Sequence, residues 1–329
     1  MAAKITIIGG SGFVGTNLCR QLSLKQQDFE IIDLNMSNQF PEKCKLGDVR
    51  DIQSLRETIT GDVVIHLAAV HRDDIRDKSE YKNTNVYGTE NVVEVCKEKG
   101  ITKIVFTSSV AVYGFAESGT DERGVISPFN EYGQTKFEAE EKLRRWNTSG
   151  KNSLIIIRPT VIFGEGNRGN VFNLLNQIAA NKFFMVGTGE NKKSMAYIGN
   201  IVAFIESCIA TNQRYGVYNY VDSPDLTMNE LVAFAREKLL GKTNTGMRVP
   251  YWLAIMAGYA ADIITALSGK KLIVNSIRVK KFAANSEFFS SKMKLEGFSP
   301  PYELLAGLER TLHSEFISPD PDREIFFTE

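Results

Sequence analysis

The stretch KITIIGGSGFVGTNLCRQLSLK, Lys4–Lys25, decides the fold of this 329-residue chain. It opens as an apolar run, stops at glycine, and resumes as a helix with Leu18 and Leu22 on one side. Gly9, Gly12 and Gly15 recur every third residue across the join, with Phe13 and Val14 between the last two. Glycine lets such a turn bring backbone against a pyrophosphate, and the free N–H groups of the helix start attract the anion. Asp33 closes a second apolar run, FEIIDLN, 24 residues after Gly9 and just ahead of Leu34. That spacing suits a carboxylate bonding a ribose diol. It would repel a 2′-phosphate, so NAD is expected rather than NADP.

Working outward, the alternation continues. DIQSLRETI reads as helix, DVVIHLAAV as strand, TNVYGTENVVEVCKEKG as helix, TKIVFTSS as strand, YGQTKFEAEEKLRRW as helix and NSLIIIRPTVIFG as one strand. Apolar strands separated by amphipathic helices predict an α/β fold: a doubly wound, Rossmann-like parallel sheet. After Gly164 a glycine-rich loop changes the rhythm, and from residue 226 the chain reads as mostly helical, through FFSSKMKLEGFSPPYELLAGLERTL. Residues 1–165 are expected to form the dinucleotide-binding domain, with 195–224 returning to it. Residues 166–194 and 225–318 form a smaller, mostly helical substrate domain, and 319–329 a frayed tail. The crevice between the domains should hold the ligand.

Composition narrows the function. Lys plus Arg and Asp plus Glu both number 39, so no net field recruits nucleic acid. The four cysteines form no CxxC and the three histidines no ligand pair, so a disulfide framework or metal site is not expected. The opening MAAKITIIGG turns into a strand without a signal peptide's apolar core, which points to a reducing cytoplasm. Tyr251–Leu267 is apolar, slightly short for a membrane span and interrupted by Asp262. A buried or surface-docked helix is expected there, with a monotopic membrane contact as the lesser alternative.

The chemistry lies in FTSSVAVYG, Phe106–Gly114, and EYGQTK, Glu131–Lys136. Tyr132 and Lys136, four apart on a helix, share a face. A free tyrosine titrates near ~10, too high for a base at neutral pH, and a neighbouring ammonium lowers it. Ser109 ends the preceding strand, after Thr107 and Ser108, where it can hydrogen-bond a hydroxyl or carbonyl. Together they suit proton transfer between alcohol and ketone beside a nicotinamide. Asp48 and Val49 of GDVRD suit an adenine site, and Leu67, Ala68 and Ala69 of HLAAV offer small or apolar surface to the cofactor.

The order GxxGxxG, Asp33, GDVRD, HLAA, NTNVYGTENVV, SSVAVYG, YGQTK, RPTVIFG resembles the extended short-chain dehydrogenase/reductases, and within them the NAD-dependent epimerase/dehydratases of nucleotide sugars. The resemblance implies a catalytic triad of Ser109, Tyr132 and Lys136, with Lys136 also on the nicotinamide ribose. It further implies that Asn85 and the backbone from Pro159 to Val161 position the cofactor. Val110 and Ala111 stand where sugar 4,6-dehydratases carry an Asp-Glu pair, which disfavours dehydration. What remains resembles a UDP-hexose or UDP-N-acetylhexosamine 4-epimerase working through a 4-keto sugar. Arg168, Asn170, Lys192 and Lys193 lie where relatives bind the nucleotide diphosphate. Two alternatives stand beside this: a 3β-hydroxysteroid or sterol dehydrogenase, and an NAD-binding scaffold without turnover. A homodimer is left open by the sequence.

Overall fold

The computed structural model describes residues 3–72, 75–268, 275–290, 295 and 297–328. Apolar residues alternate sides along β1 (Ile5–Ile8), β2 (Phe29–Asp33), β3 (Cys44–Leu46), β4 (Val63–His66), β5 (Lys103–Thr107) and β6 (Ser153–Pro159). Short strands β7 (Val161–Phe163), β8 (Met185–Val186), β9 (Lys192–Lys193) and β10 (Met195–Tyr197) precede β11 (Tyr215–Tyr220). The order β11-β6-β5-β4-β1-β2-β3 makes one seven-stranded sheet, parallel throughout.

Two apolar layers sandwich this sheet. Ile5, Ile7, Ile31, Ile65, Val105 and Ile155 face α1 (Phe13–Leu24). Ile8, Ile32, Val64, Ile104, Phe106 and Ile156 share a second layer. Helices α2 (Ile52–Thr58), α4 (Gly88–Glu98) and α5 (Glu131–Trp146) supply that layer's other wall, the short α3 (Ser79–Tyr81) leading into α4 through a π-turn. Chain order reverses between β1 and β4, so the crevice beyond their carboxyl ends is the natural ligand seat.

The later chain adds α6 (Asn170–Ala179), α7 (Ile198–Ala210), β12 (Leu226–Thr227), α8 (Met228–Leu240), β13 (Arg248–Val249), α9 (Tyr251–Ser268), α10 (Ser276–Ala283) and α11 (Leu304–Leu312). Within FFSSKMKLEGFSPPYELLAGLERTL, residues 291–294 and 296 lie outside the described residues, and the helix α11 occupies only its end. α7 packs into the α1 layer, and β11 then joins β6.

Two expectations change. NSLIIIRPTVIFG is two strands: Thr160 N makes a last bond to β11, to Tyr220 O at 3.0 Å, and the chain leaves the sheet beyond it. β7 then pairs with β10 instead. The tail is not frayed: Phe326 N donates to Gly166 O at 2.9 Å and Arg168 N to Phe326 O at 2.8 Å. Glu324 accepts from Asn38 and Gln39, both at 2.8 Å, and the Phe326 ring sits 5.6 Å from that of Phe13. Backbone pairing and an aromatic contact outweigh the tail's charged composition.

Candidate active site

The glycine loop fits a dinucleotide. Gly9 has φ +82, and a Cβ there would lie 2.6 Å from Ala68 N, so only glycine brings the loop this close to the chain after β4. Around Gly12 the nearest atom to such a Cβ is Gly9 O at 3.4 Å, which leaves an open cradle at the start of α1, where Phe13 and Val14 begin the helix. Asp33 ends β2 with Oδ2 accepting from Ser11 N at 3.0 Å and Oδ1 from Asn35 N at 3.1 Å. Burial raises its carboxyl above the usual range, against the pull of those N–H groups. Leu34 beside it is exposed.

Leu67 and Ala68 both donate through N–H to Ile8 O, at 2.8 and 3.1 Å, which fixes the strand exit against Gly9 just ahead of Ala69. Buried Asn85 clamps that exit: its Oδ1 accepts from Val70 N at 2.8 Å and its Nδ2 donates to Val70 O and Thr135 Oγ1, each at 3.0 Å. One side chain thus ties the cofactor loop to the helix carrying Tyr132. Thr107 Oγ1 donates to His66 O at 3.3 Å, and buried Ser108 Oγ has no hydrogen-bond partner among the described residues. An unpartnered buried hydroxyl at a strand exit suits a bound ligand. Pro159 is buried at the end of β6, and Val161 is partly open to solvent. Val49 is buried, with its carbonyl accepting from Asn91 at 2.8 Å. The Asp48 carboxylate is held by Arg50 at 2.8–3.0 Å, which depresses its pKa, so an adenine amino group would have to share it.

Ser109, Tyr132 and Lys136 converge. The Ser109 hydroxyl lies close enough to the Tyr132 phenol to act on its titration, and Ser109 Oγ accepts from Ala111 N at 3.1 Å. Lys136 is buried with Nζ 4.4 Å from the centre of the Phe106 ring. Loss of water pushes the Tyr132 phenol up to about 12, with the Ser109 hydroxyl opposing the rise. Burial also pulls Lys136 down to about 7, against the pull of Glu140. The spacing predicts that the ammonium lowers Tyr132; desolvation dominates instead. His66 lies in the same layer, kept neutral by burial and by the Lys136 charge, with a pKa of about 3.

Sequence reasoning missed the parts that hold this triad. Asn130 caps the start of α5, its Oδ1 accepting from Gly133 N at 2.9 Å, and a Cβ on Gly133 would lie 2.4 Å from Ala111 O. The helix thus presses directly on the turn after Ser109. One turn beyond Lys136, fully buried Glu140 takes Arg158 Nε and Nη2 at 2.9 and 2.6 Å. Arg158 Nη1 donates to the Tyr113 hydroxyl at 2.6 Å, which donates to Asn219 at 2.8 Å. The network joins α5, β6, the Ser109 turn and β11. Its signal was an Arg inside the apolar run LIIIRP, which needs a buried partner.

The proposed diphosphate cations already have protein partners. Arg168 bonds Glu315 at 2.5 Å and stacks 3.9 Å over Phe172. Lys192 pairs with Glu287 at 2.7 Å. Lys193 donates to the carbonyls of Lys281 and Ala284 at 2.9 and 2.6 Å, and burial lowers its pKa to about 8. Asn170 opens α6 beside this region. An open cleft of about 700 Å3 lies nearby, lined by Gly187, Thr188, Asn191, Arg248 and Tyr251 among others.

A family profile described as the NAD dependent epimerase/dehydratase family matches residues 5–220. An Escherichia coli O157:H7 protein named N-acetyl-alpha-D-glucosaminyl-diphospho-ditrans,octacis-undecaprenol 4-epimerase is 49% identical over 100% of both chains. A Vibrio cholerae UDP-glucose 4-epimerase is 27% identical, covering 94% of this chain and 95% of its own. The solved UDP-N-acetylglucosamine 4-epimerase from Bacillus cereus superposes with a TM-score of 0.75 at 17% identity, covering 99% of this chain and 100% of that one.

Proposed function

The chain belongs to the NAD-dependent epimerase/dehydratase family and is an epimerase that uses NAD, and from that premise we propose that it inverts C4 of an N-acetylhexosamine carried on a diphosphate. The observation that carries the reaction type is Ser109 at the head of the turn against α5, beside Tyr132 with Lys136 one turn along the same helix, and with Val110 and Ala111 following Ser109. Bound NAD supplies a hydride acceptor that can return what it takes. Tyr132 exchanges the proton of the C4 hydroxyl, and Ser109 holds that oxygen. To act as a base, Tyr132 needs a positive charge beside it, and Lys136 is the cation placed one turn along. Val110 and Ala111 cannot transfer protons, which keeps the chemistry on one carbon.

The preferred carrier is a polyprenyl diphosphate, the lipid-linked form named for the 49% identical relative. A nucleotide diphosphate is the second reading, favoured by the UDP-glucose 4-epimerase that matches over 94% of this chain. A reducing cytoplasm and a homodimer belong to the same proposal. All four cysteines are free thiols, and sedimentation of the purified chain tests the dimer. The deciding experiment offers C4-deuterated N-acetylglucosamine on polyprenyl diphosphate and on UDP, with product separation. Inversion with deuterium retained at C4 is expected, fastest on the lipid carrier. Turnover on UDP alone overturns the carrier. Solvent deuterium at C5, or accumulating NADH, overturns the epimerase reading.

A further inference from the structure

Helix α9 is built inside out for a protein in water. Its buried residues are small, Ala254, Gly258 and Ala261, one or two turns apart. They seat it on α10, where a Cβ on Gly258 would meet Ser276 Cα at 2.9 Å. The large apolar side chains point outward instead: Trp252 is 62% exposed, Met256 60%, Ile263 61% and Leu267 84%. Leu253, Tyr259 and Ile264 are exposed among them, and Ile277 of α10 extends the patch. α9 is the one described helix long and apolar enough to cross a membrane, yet only 17% of it is buried. Exposing a contiguous apolar surface of this kind marks an interaction site.

Charge names the partner. Between residues 247 and 284 the sequence has one acid, Asp262, and six bases. Asp262 is occupied by Ser276 N, at 3.4 Å to each oxygen. Arg278, Lys280 and Lys281 all belong to α10, the helix against which α9 is seated. Lys280 lies 5.3 Å from the Tyr259 ring, so cation and aromatic residue meet at the border of the patch. An apolar face with Trp and Tyr, flanked by Lys and Arg, matches the boundary of an anionic bilayer. The small-residue seam and the Asp262–Ser276 contact hold α9 flat against α10, which a crossing helix would have to break.

We propose that α9, with the basic residues of α10, docks this enzyme in the plane of an anionic lipid bilayer without crossing it. The inference stands whichever diphosphate carrier is used, because docking involves no substrate. It takes up the reading that the sequence ranks second for this segment, a contact in the plane of a membrane. The test uses the full chain with phosphatidylglycerol/phosphatidylethanolamine vesicles against pure phosphatidylcholine, read by flotation and tryptophan emission. Trp146 is buried and Trp252 exposed, so a blue shift reports α9. Flotation with the anionic vesicles and a blue shift absent in Trp252→Phe are expected. Met256→Glu with Ile263→Glu should weaken binding at least tenfold while the thermal transition stays in place. Lys280→Gln with Lys281→Gln should weaken it severalfold and flatten its salt dependence. A chain that stays unbound, or binds equally with both Glu substitutions, overturns the proposal. So does resistance to alkaline carbonate extraction, which means crossing, or a dimer broken by the Glu substitutions without vesicle binding, which makes a second copy the partner.

Discussion

Replacing Gly133 with alanine tests whether the contact between α5 and the Ser109 turn sets the reaction geometry. The new Cβ would sit 2.4 Å from Ala111 O, 3.0 Å from Ala111 C and 3.1 Å from Pro128 Cβ. Ordinary contact begins near 3.4 Å, so about 1 Å must open between two backbones. Neither can swing aside as a side-chain tip would. Overpacking of this kind costs about 1–3 kcal/mol. Alanine's better helix propensity returns up to ~1 kcal/mol, so the net loss of stability is small. Activity is therefore the sharper readout. A 1 Å displacement between reacting groups lowers the rate on the order of 100-fold. We expect Gly133→Ala to retain NAD, lose a few degrees in Tm and lose about 100-fold in turnover. Gly100→Ala is the control: its φ is +69 but no atom lies within 4 Å of the added carbon. It should lose about 1–2 kcal/mol from backbone strain and keep full turnover. Turnover of Gly133→Ala within threefold of the parent refutes the reasoning.

Tyr132→Phe should cut turnover by roughly 10²–10⁴ while NAD stays bound, since only the proton-transfer group is lost; activity within tenfold removes Tyr132 from the chemistry. Burial holds Lys136 at about 7, well below the ordinary lysine range of about 10.4. In the cofactor-free protein the folded state therefore binds fewer protons across that window and gains stability as pH rises through it, a gain absent below pH 7. Urea midpoints at pH 7 and pH 9.5 should shift in favour of the parent over Lys136→Met, and a constant difference contradicts the shift. Asp33→Ala should weaken NAD binding by about tenfold and narrow the preference over NADP. Equal affinity of the parent for both cofactors contradicts the role of Asp33.

The sheet was legible because each strand is a short apolar run and each crossover ends in glycine or a polar turn. The nucleotide loop and the Ser109, Tyr132, Lys136 set were legible because their spacing is local. What escaped was whatever depends on two distant segments meeting. Gly133 means nothing without Ala111, and Glu140 nothing without Arg158, 18 residues further on and on another element. The basic residues 168, 192 and 193 looked available because their partners Glu315, Glu287 and the carbonyls of 281 and 284 lie about 90 or more residues away. The 319–328 segment looked loose because composition carries no record of the backbone at Gly166 that it pairs with.

The return of Tyr215–Tyr220 to the sheet also governs how the molecule can be divided. β6 is apolar along most of its length, and only β11 satisfies its outer N–H and C=O groups. A fragment stopped after Gly164, where the sequence changes rhythm, would leave that strand as a bare, hydrophobic edge. Such an edge is a template for another chain and promotes aggregation. The whole excursion through residues 164–214 must therefore be completed before the catalytic sheet is protected from its neighbours.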